Sequence, residues 1–322
     1  MTMIVDSPQD RLDASLVEAA KIGDAVELLR LLKLGADPAA GDSKALRRAA
    51  GKGQIDCVKL LIPISNPRAK ESLALLSAAH RGQVECVKLL IPISNPKADD
   101  SMALRWAAGN GHAECVKLLM PVSDPKANHS SALRWAAENG HVECVKLLIP
   151  VSDPGAQNSH ALRQAAEHGH IECVRLLIPA SNAKFNDSEA LFLAAENGHA
   201  PCVSLLLPVS SAISASSDTL AAAAQKGHAE CVKLLISVLD PSAALGSCFY
   251  TAILNGRAAV AALLLAHQPS LIGLLDLAQS TAEATARGHG ELAALLLSIS
   301  ERRALLETGV PAPTAPHSAP RL

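Results

Sequence analysis

Glycine keeps time along this chain. Gly53, Gly82, Gly111, Gly140, Gly169, Gly198, Gly227 and Gly256 stand 29 residues apart, with Gly23 one residue out of step at the front and Gly288 three at the back. A fixed period in the range of about 20–50 residues marks an array of stacked units and outranks local propensity, so about ten copies of one unit are expected. Ala132 to Pro154, ALRWAAENGHVECVKLLIPVSDP, is that unit at its most regular. Ala103 to Pro125 repeats it with differences only at positions 109, 113 and 120.

The residues of one unit predict two short helices. Ser131 to Asn139 is rich in alanine and leucine, and Gly140 follows where a left-handed C-terminal cap belongs. After His141, the run VECVKLLI is apolar on most of its circumference, with Glu143 and Lys146 on the remaining side. That pattern suits a helix sandwiched between neighbours. Pro150 ends the second helix and Ser152-Asp153-Pro154 is turn chemistry, leaving a return of roughly nine residues that can be made without regular structure. Such a pair of antiparallel helices cannot bury its own apolar faces, and stacking on copies of itself supplies the missing walls.

The stretch ALRWAAENGHVECVKLL resembles the helix pair of the ankyrin repeat family, whose usual pattern reads TPLHxAAxxGHxEVVKLLLxxGAD. Leucine, paired alanines, the Gly-His turn, glutamate and the VKLL run fall in order, and Lys33 to Pro38, KLGADP, matches the family's exit from its second helix. The resemblance covers roughly residues 12 to 300 and implies a mainly α, ankyrin-type solenoid of about ten stacked helix-turn-helix repeats. The period is 29 rather than 33, so the β-hairpin fingers are expected to be short or absent. The TPLH tetrapeptide is also missing: its histidine is replaced by Arg47, Arg105, Arg134 and Arg163, and a cysteine stands for the first valine of the second helix in seven units.

One elongated domain over residues 12–308 is expected, because the core of a solenoid grows linearly with unit count. Residues 1–11 form a lead-in, 12–40 an N-terminal cap, 41–208 the regular body, 209–308 degenerate repeats with a C-terminal cap, and 309–322 a disordered tail rich in proline and alanine. Glu301 to Thr308 is expected to close the stack as a final helix. Aromatic residues make up only 2% of the chain, which suits thin helices in close contact. A net charge of −2 without a basic block argues against nucleic acid as the main partner. The first ten residues lack the marks of a secretory signal, and no apolar stretch has the length of a membrane span. A cytoplasmic monomer is expected, with export by a signal-independent route as the alternative.

Cys57, Cys86, Cys115, Cys144, Cys173, Cys202 and Cys231 recur at the 29-residue interval. Equivalent positions in stacked helices lie about 8–10 Å apart, beyond the reach of a disulfide, so these cysteines are expected as buried small hydrophobes. Five units carry His-x-x-Cys, as at His141 and Cys144, but structural zinc asks for four ligands and commonly for CxxC pairs. No metal or cofactor is expected, and the resemblance gives the histidine a role in stabilising the turn. The arginine column, flanked by Trp106 and Trp135, offers either a stacked site for an anion or bonds to connector carbonyls. Lys59, Lys88, Lys117, Lys146 and Lys233 mark a solvated outer face; all but the first stand three residues after a glutamate.

The resemblance implies that the positions before each turn glycine line a concave face and contact a protein partner. Here these include His80, Arg81, Asn110, Glu138, Asn139, Glu167, His168, Glu196 and Asn197, with Lys21, Lys52 and Lys226 in the same frame. Asn and Glu recur among them, where a surface tuned to one target would vary. No catalytic motif is present, and a repeated residue is a poor catalyst because chemistry needs one cluster of unlike groups. The expected function is therefore a non-catalytic scaffold for protein–protein interaction. The alternatives are an effector delivered by a bacterium into another cell, and an enzyme or ligand-binding protein using the degenerate stretch Ser242 to Tyr250.

Overall fold

A computed structural model describes residues 7–181, 189–210, 217–238 and 244–308. Its contacts gather into two compact units, Met1–Asn186 and Asp187–Leu322. Among the described residues the first holds six helix pairs: α1 (Pro8–Ile22) with α2 (Ala25–Lys33), α3 (Ala40–Lys52) with α4 (Ile55–Leu61), α5 (Ala69–His80) with α6 (Val84–Leu90), α7 (Ala98–Gly109) with α8 (Ala113–Leu119), α9 (Ala127–Glu138) with α10 (Val142–Leu148), and α11 (Ala156–Glu167) with α12 (Ile171–Leu177). The second holds four: α13 (Glu189–Glu196) with α14 (Ala200–Leu206), α15 (Ser217–Lys226) with α16 (Ala229–Val238), α17 (Leu245–Leu254) with α18 (Ala258–His267), and α19 (Leu277–Ala286) with α20 (Gly290–Thr308). Within each unit the odd-numbered helices, here called A, pack against one another in one layer. The even-numbered B helices pack in a second layer.

The sequence pattern explains the two layers. In α9, Ala132, Leu133, Ala136 and Ala137 are buried, and in α10 Cys144, Val145 and Leu148 are buried. The same positions are buried in pair after pair, so each joint is sealed by small and branched side chains that let helices approach closely. Val142, Leu147 and Ile149 are only half-buried, so the B helix is less enclosed than its composition predicts. The degenerate stretch keeps the frame: Phe249 stands where Leu104 and Leu133 stand, fully buried, and Cys248 takes the place of an alanine.

The return between pairs, for which the chain length demands no regular structure, is nonetheless ordered in the first compact unit. An Asn/Asp-Pro turn is followed by three consecutive residues in the left-handed helical region, as at Asp99, Asp100 and Ser101 (φ 47°, 52° and 60°) and at Asn128, His129 and Ser130 (φ 47°, 55° and 56°). The device occurs at the start of α3, α5, α7, α9 and α11. It stands where a β-finger would otherwise protrude, and among the described residues no strand occurs. Left-handed turns cost about 1–2 kcal/mol per residue for most side chains. Gly41, Asp42, Asp99, Asp100, Asn128, His129 and Asn158 are types that visit this region readily, whereas Lys70, Glu71, Gln157 and the serine ending each turn bear the cost.

The serine ending each left-handed turn explains its presence. Ser43, Ser72, Ser101 and Ser130 are 1–2% exposed. Their Oγ atoms accept the backbone N–H of Asn66, Asn95, Asp124 and Asp153 in the following connector at 2.8–2.9 Å. In return, Ser65, Ser123 and Ser152 donate to the carbonyls of Pro38, Pro96 and Pro125 at 3.2–3.3 Å. The joints from α3 through α11 therefore each carry a polar staple on the connector side, although Ser94, the equivalent of Ser65 and Ser123, leaves its Oγ buried without a partner.

Two end features differ from expectation. Helix α1 begins at Pro8, not after Arg11, because Ser7 and Asp10 form a reciprocal capping box at 3.0 and 2.9 Å. Glu301 to Thr308 is no separate closing helix but the end of α20, which runs unbroken from Gly290. The expected tail 309–322 lies outside the described residues, as do most of the SSAISASS run and Ser242.

Candidate functional site

The turn glycine does two jobs, which explains its strict period. Gly111 and Gly140 adopt φ 77° and 72°, and a Cβ on either would come within 2.7 Å of the next unit's histidine ring. That ring needs the space: Nε2 of His112, His141 and His170 lies 3.1, 3.1 and 2.9 Å from the carbonyl oxygens of His80, Gly109 and Glu138 in the preceding unit. A carbonyl only accepts, so Nε2 carries the proton. Gln54 reaches Lys21 O at 3.3 Å and Arg257 reaches Gln225 O at 2.8 Å from the same position. The turn histidine of the resemblance is thus one member of a donor column tying unit to unit.

The cysteine column lies inside the B layer, with every member at most 1% exposed. Burial pushes the thiols of Cys86, Cys115, Cys144, Cys202 and Cys231, and that of Cys248 outside the column in the A helix α17, up to about 11, so they are neutral thiols packed as apolar groups. The arginine column makes connector bonds, although the Nε of Arg47, Arg105 and Arg134 is buried without a partner. Arg47, Arg105, Arg134 and Arg163 donate through Nη2 to the carbonyl six residues back, at 3.4, 2.8, 3.1 and 3.2 Å, closing the left-handed turn. Arg105 is 5% exposed and its guanidinium lies 5.5 Å from the Trp135 ring. On the outer face Lys88, Lys117 and Lys146 pair with Glu85, Glu114 and Glu143 at 2.6 Å.

What remains is the exposed edge of the A layer. Asn110, Asn139 and Asn197 donate through Nδ2 to the carbonyls of Trp106, Trp135 and Leu193 at 2.7–2.9 Å, and Nδ1 of His168 lies 2.9 Å from Gln164 O. The recurrence of asparagine before the glycine therefore has a capping cause. Glu138 and Glu167 end α9 and α11 half-buried, and Gln164 donates to Glu167 at 2.8 Å. Trp106, Trp135, Asn110, Glu138 and Asn139 line one hollow. The tryptophan rings meet edge to face at 5.5 Å, and His80 meets Trp106 at 4.6 Å. Arg81 and His80 join Arg47, Arg48 and Lys52 around another. Glu196 and Asn197 lie in the second compact unit.

Comparison with known families decides the lineage. A family model described as ankyrin repeats (3 copies) matches residues 16–100, 75–161, 151–217 and 191–276. The chain belongs to the ankyrin repeat family. Ankyrin repeats are generally protein–protein interaction modules, and this ankyrin chain departs from the usual pattern in its period and in the left-handed turn that replaces the finger. No match was found among curated proteins. Among the described residues, no helix of this ankyrin stack is long and apolar enough to cross a membrane.

Proposed function

We propose that the chain is a non-catalytic scaffold that holds a protein partner on the exposed face of its A helices. The observation that carries this reading is where the units differ. At the joints the residue types repeat. Three positions on the A face vary more: Arg48, Gly51 and Lys52 become Ser77, His80 and Arg81, then Trp106, Gly109 and Asn110, then Trp135, Glu138 and Asn139, then Gln164, Glu167 and His168, so that among these units tryptophan, asparagine and glutamate each recur only between adjacent ones. A fold built from equivalent units has no need of that variety, whereas a surface matched to one partner does. Both tryptophans of the chain fall on it, and tryptophan is enriched among residues that dominate binding energy.

Catalysis at the degenerate stretch draws no support from Cys248 and Tyr250. The first is a buried thiol raised to about 11 and the second is 55% exposed, so these residues, two apart on one helix, face different surroundings. The test is affinity capture with mass spectrometry, comparing the native chain with a variant carrying Arg81→Glu, Glu138→Lys, Glu167→Lys and Glu196→Lys. The reading expects unchanged helicity by circular dichroism and loss of the captured partner. Unchanged capture by the reversed chain contradicts it.

A further inference from the structure

The A face of the first compact unit is electrically uneven. Lys44, Arg48 and Lys52 on α3 and Arg81 after α5 are all exposed. None has a carboxylate within ion-pair distance among the described residues, in contrast to the paired lysines of the outer face. Arg48, Lys52 and Arg81 line, with Arg47, Gly51, Ser77 and His80, a hollow of about 250 Å³. Of the four following units, three carry His80, Glu138 and Glu167 where Gly51 stands and one carries Gly109, so at Gly51 no side chain fills the hollow. A Cβ at Gly51 would come 3.4 Å from Ser77 Cβ and 3.7 Å from Arg81 Cδ. A neighbouring depression continues the surface from Arg48 past Lys44 to Lys21, whose charge is met by Glu18 at 2.8 Å. Farther along the same layer the charge reverses at Glu138 and Glu167.

Unpaired cations around an open hollow repel one another, and they persist at least cost where an anion completes them. Two of the four are arginines, whose planar forks bind carboxylates bidentately. Resting on the reading of the A face as a protein-binding surface, we infer that its N-terminal end, over α3 and α5, docks an acidic, extended peptide segment of the partner. Neighbouring helices lie about 8–10 Å apart, so crossing from α1 to α5 takes about 16–20 Å, or roughly six extended residues.

The probe is a fluorescein-labelled hexaglutamate peptide, followed by anisotropy on the full chain, with hexalysine and a single-stranded oligonucleotide as comparisons. The native chain is expected to bind hexaglutamate, more weakly as salt rises, and to ignore hexalysine. The variant Arg48→Glu/Lys52→Glu/Arg81→Glu is expected to lose at least about tenfold in affinity with its helicity intact, and Lys88→Glu/Lys117→Glu/Lys146→Glu on the outer face to lose less than about twofold. Equal losses in the two variants, tighter binding of the oligonucleotide, or no binding of hexaglutamate would overturn the inference. If hexaglutamate fails to bind while reversal of Glu138 and Glu167 still abolishes partner capture, the acidic-peptide inference falls and the scaffold reading stands.

Discussion

At the scale of single residues, two adjacent serines separate a structural polar group from an idle one. Ser130 Oγ accepts the N–H of Asp153 at 2.9 Å, while Ser131 Oγ is buried without a partner. Ser130→Ala leaves a part-buried donor unsatisfied and should cost about 1–3 kcal/mol in chemical denaturation, whereas Ser131→Ala should be neutral or stabilising. Equal effects from the two substitutions would show that the staple contributes nothing. His141 adds a pH dependence. Burial lowers its pKa from the ordinary 6.5, opposed by its bond to Gly109 and reinforced by His112 and His170. The unfolded chain therefore binds this proton more tightly than the folded one. The contribution of His141 is complete above pH 6.5 and is lost as the pH falls below it. Gln54 fills the same role without titrating. His141→Gln should thus show a smaller drop in Tm than the native chain between about pH 7.5 and 5.5, and an equal or steeper drop would contradict this assignment.

The element that departs most from a standard helix pair is the left-handed turn. His129 is exposed with φ 55°, so His129→Gly removes a steric penalty of up to about 1–2 kcal/mol, partly offset by the entropy of glycine in the unfolded chain. His129→Val adds to that penalty through its β-branch. Thermal denaturation should rank glycine above histidine above valine. The reverse order would mean that the turn is not left-handed in solution. The sequence shows a turn here through its Ser, Asn, Asp and Pro content, but not its hand: three successive left-handed residues lie outside ordinary propensity. What holds them, the arginine closing onto the carbonyl six residues back and the serine meeting a connector 23 residues on, becomes visible only when units are stacked.

Across the whole molecule, the helix pairs, their number and the buried columns were legible from the 29-residue period, because every unit meets the same surroundings and repetition averages away local ambiguity. The candidate site was legible only in part. Arg81 and Glu138 were found from the frame of the glycine, whereas Arg48 and Lys44 were not, since the hollow at Gly51 and the depression beside it that Lys44 lines are each assembled from residues of separate units. All of these readings rest on units that are interchangeable and joined through equivalent contacts. The most direct test is excision of residues 111–139, one whole period inside the regular body, set beside excision of residues 111–135, which leaves the frame out of step. Circular dichroism on thermal denaturation should show a helical chain with one cooperative transition after the first excision and loss of that transition after the second. If both excisions unfold the chain alike, or neither does, the stack is not built from equivalent joints and the account is wrong.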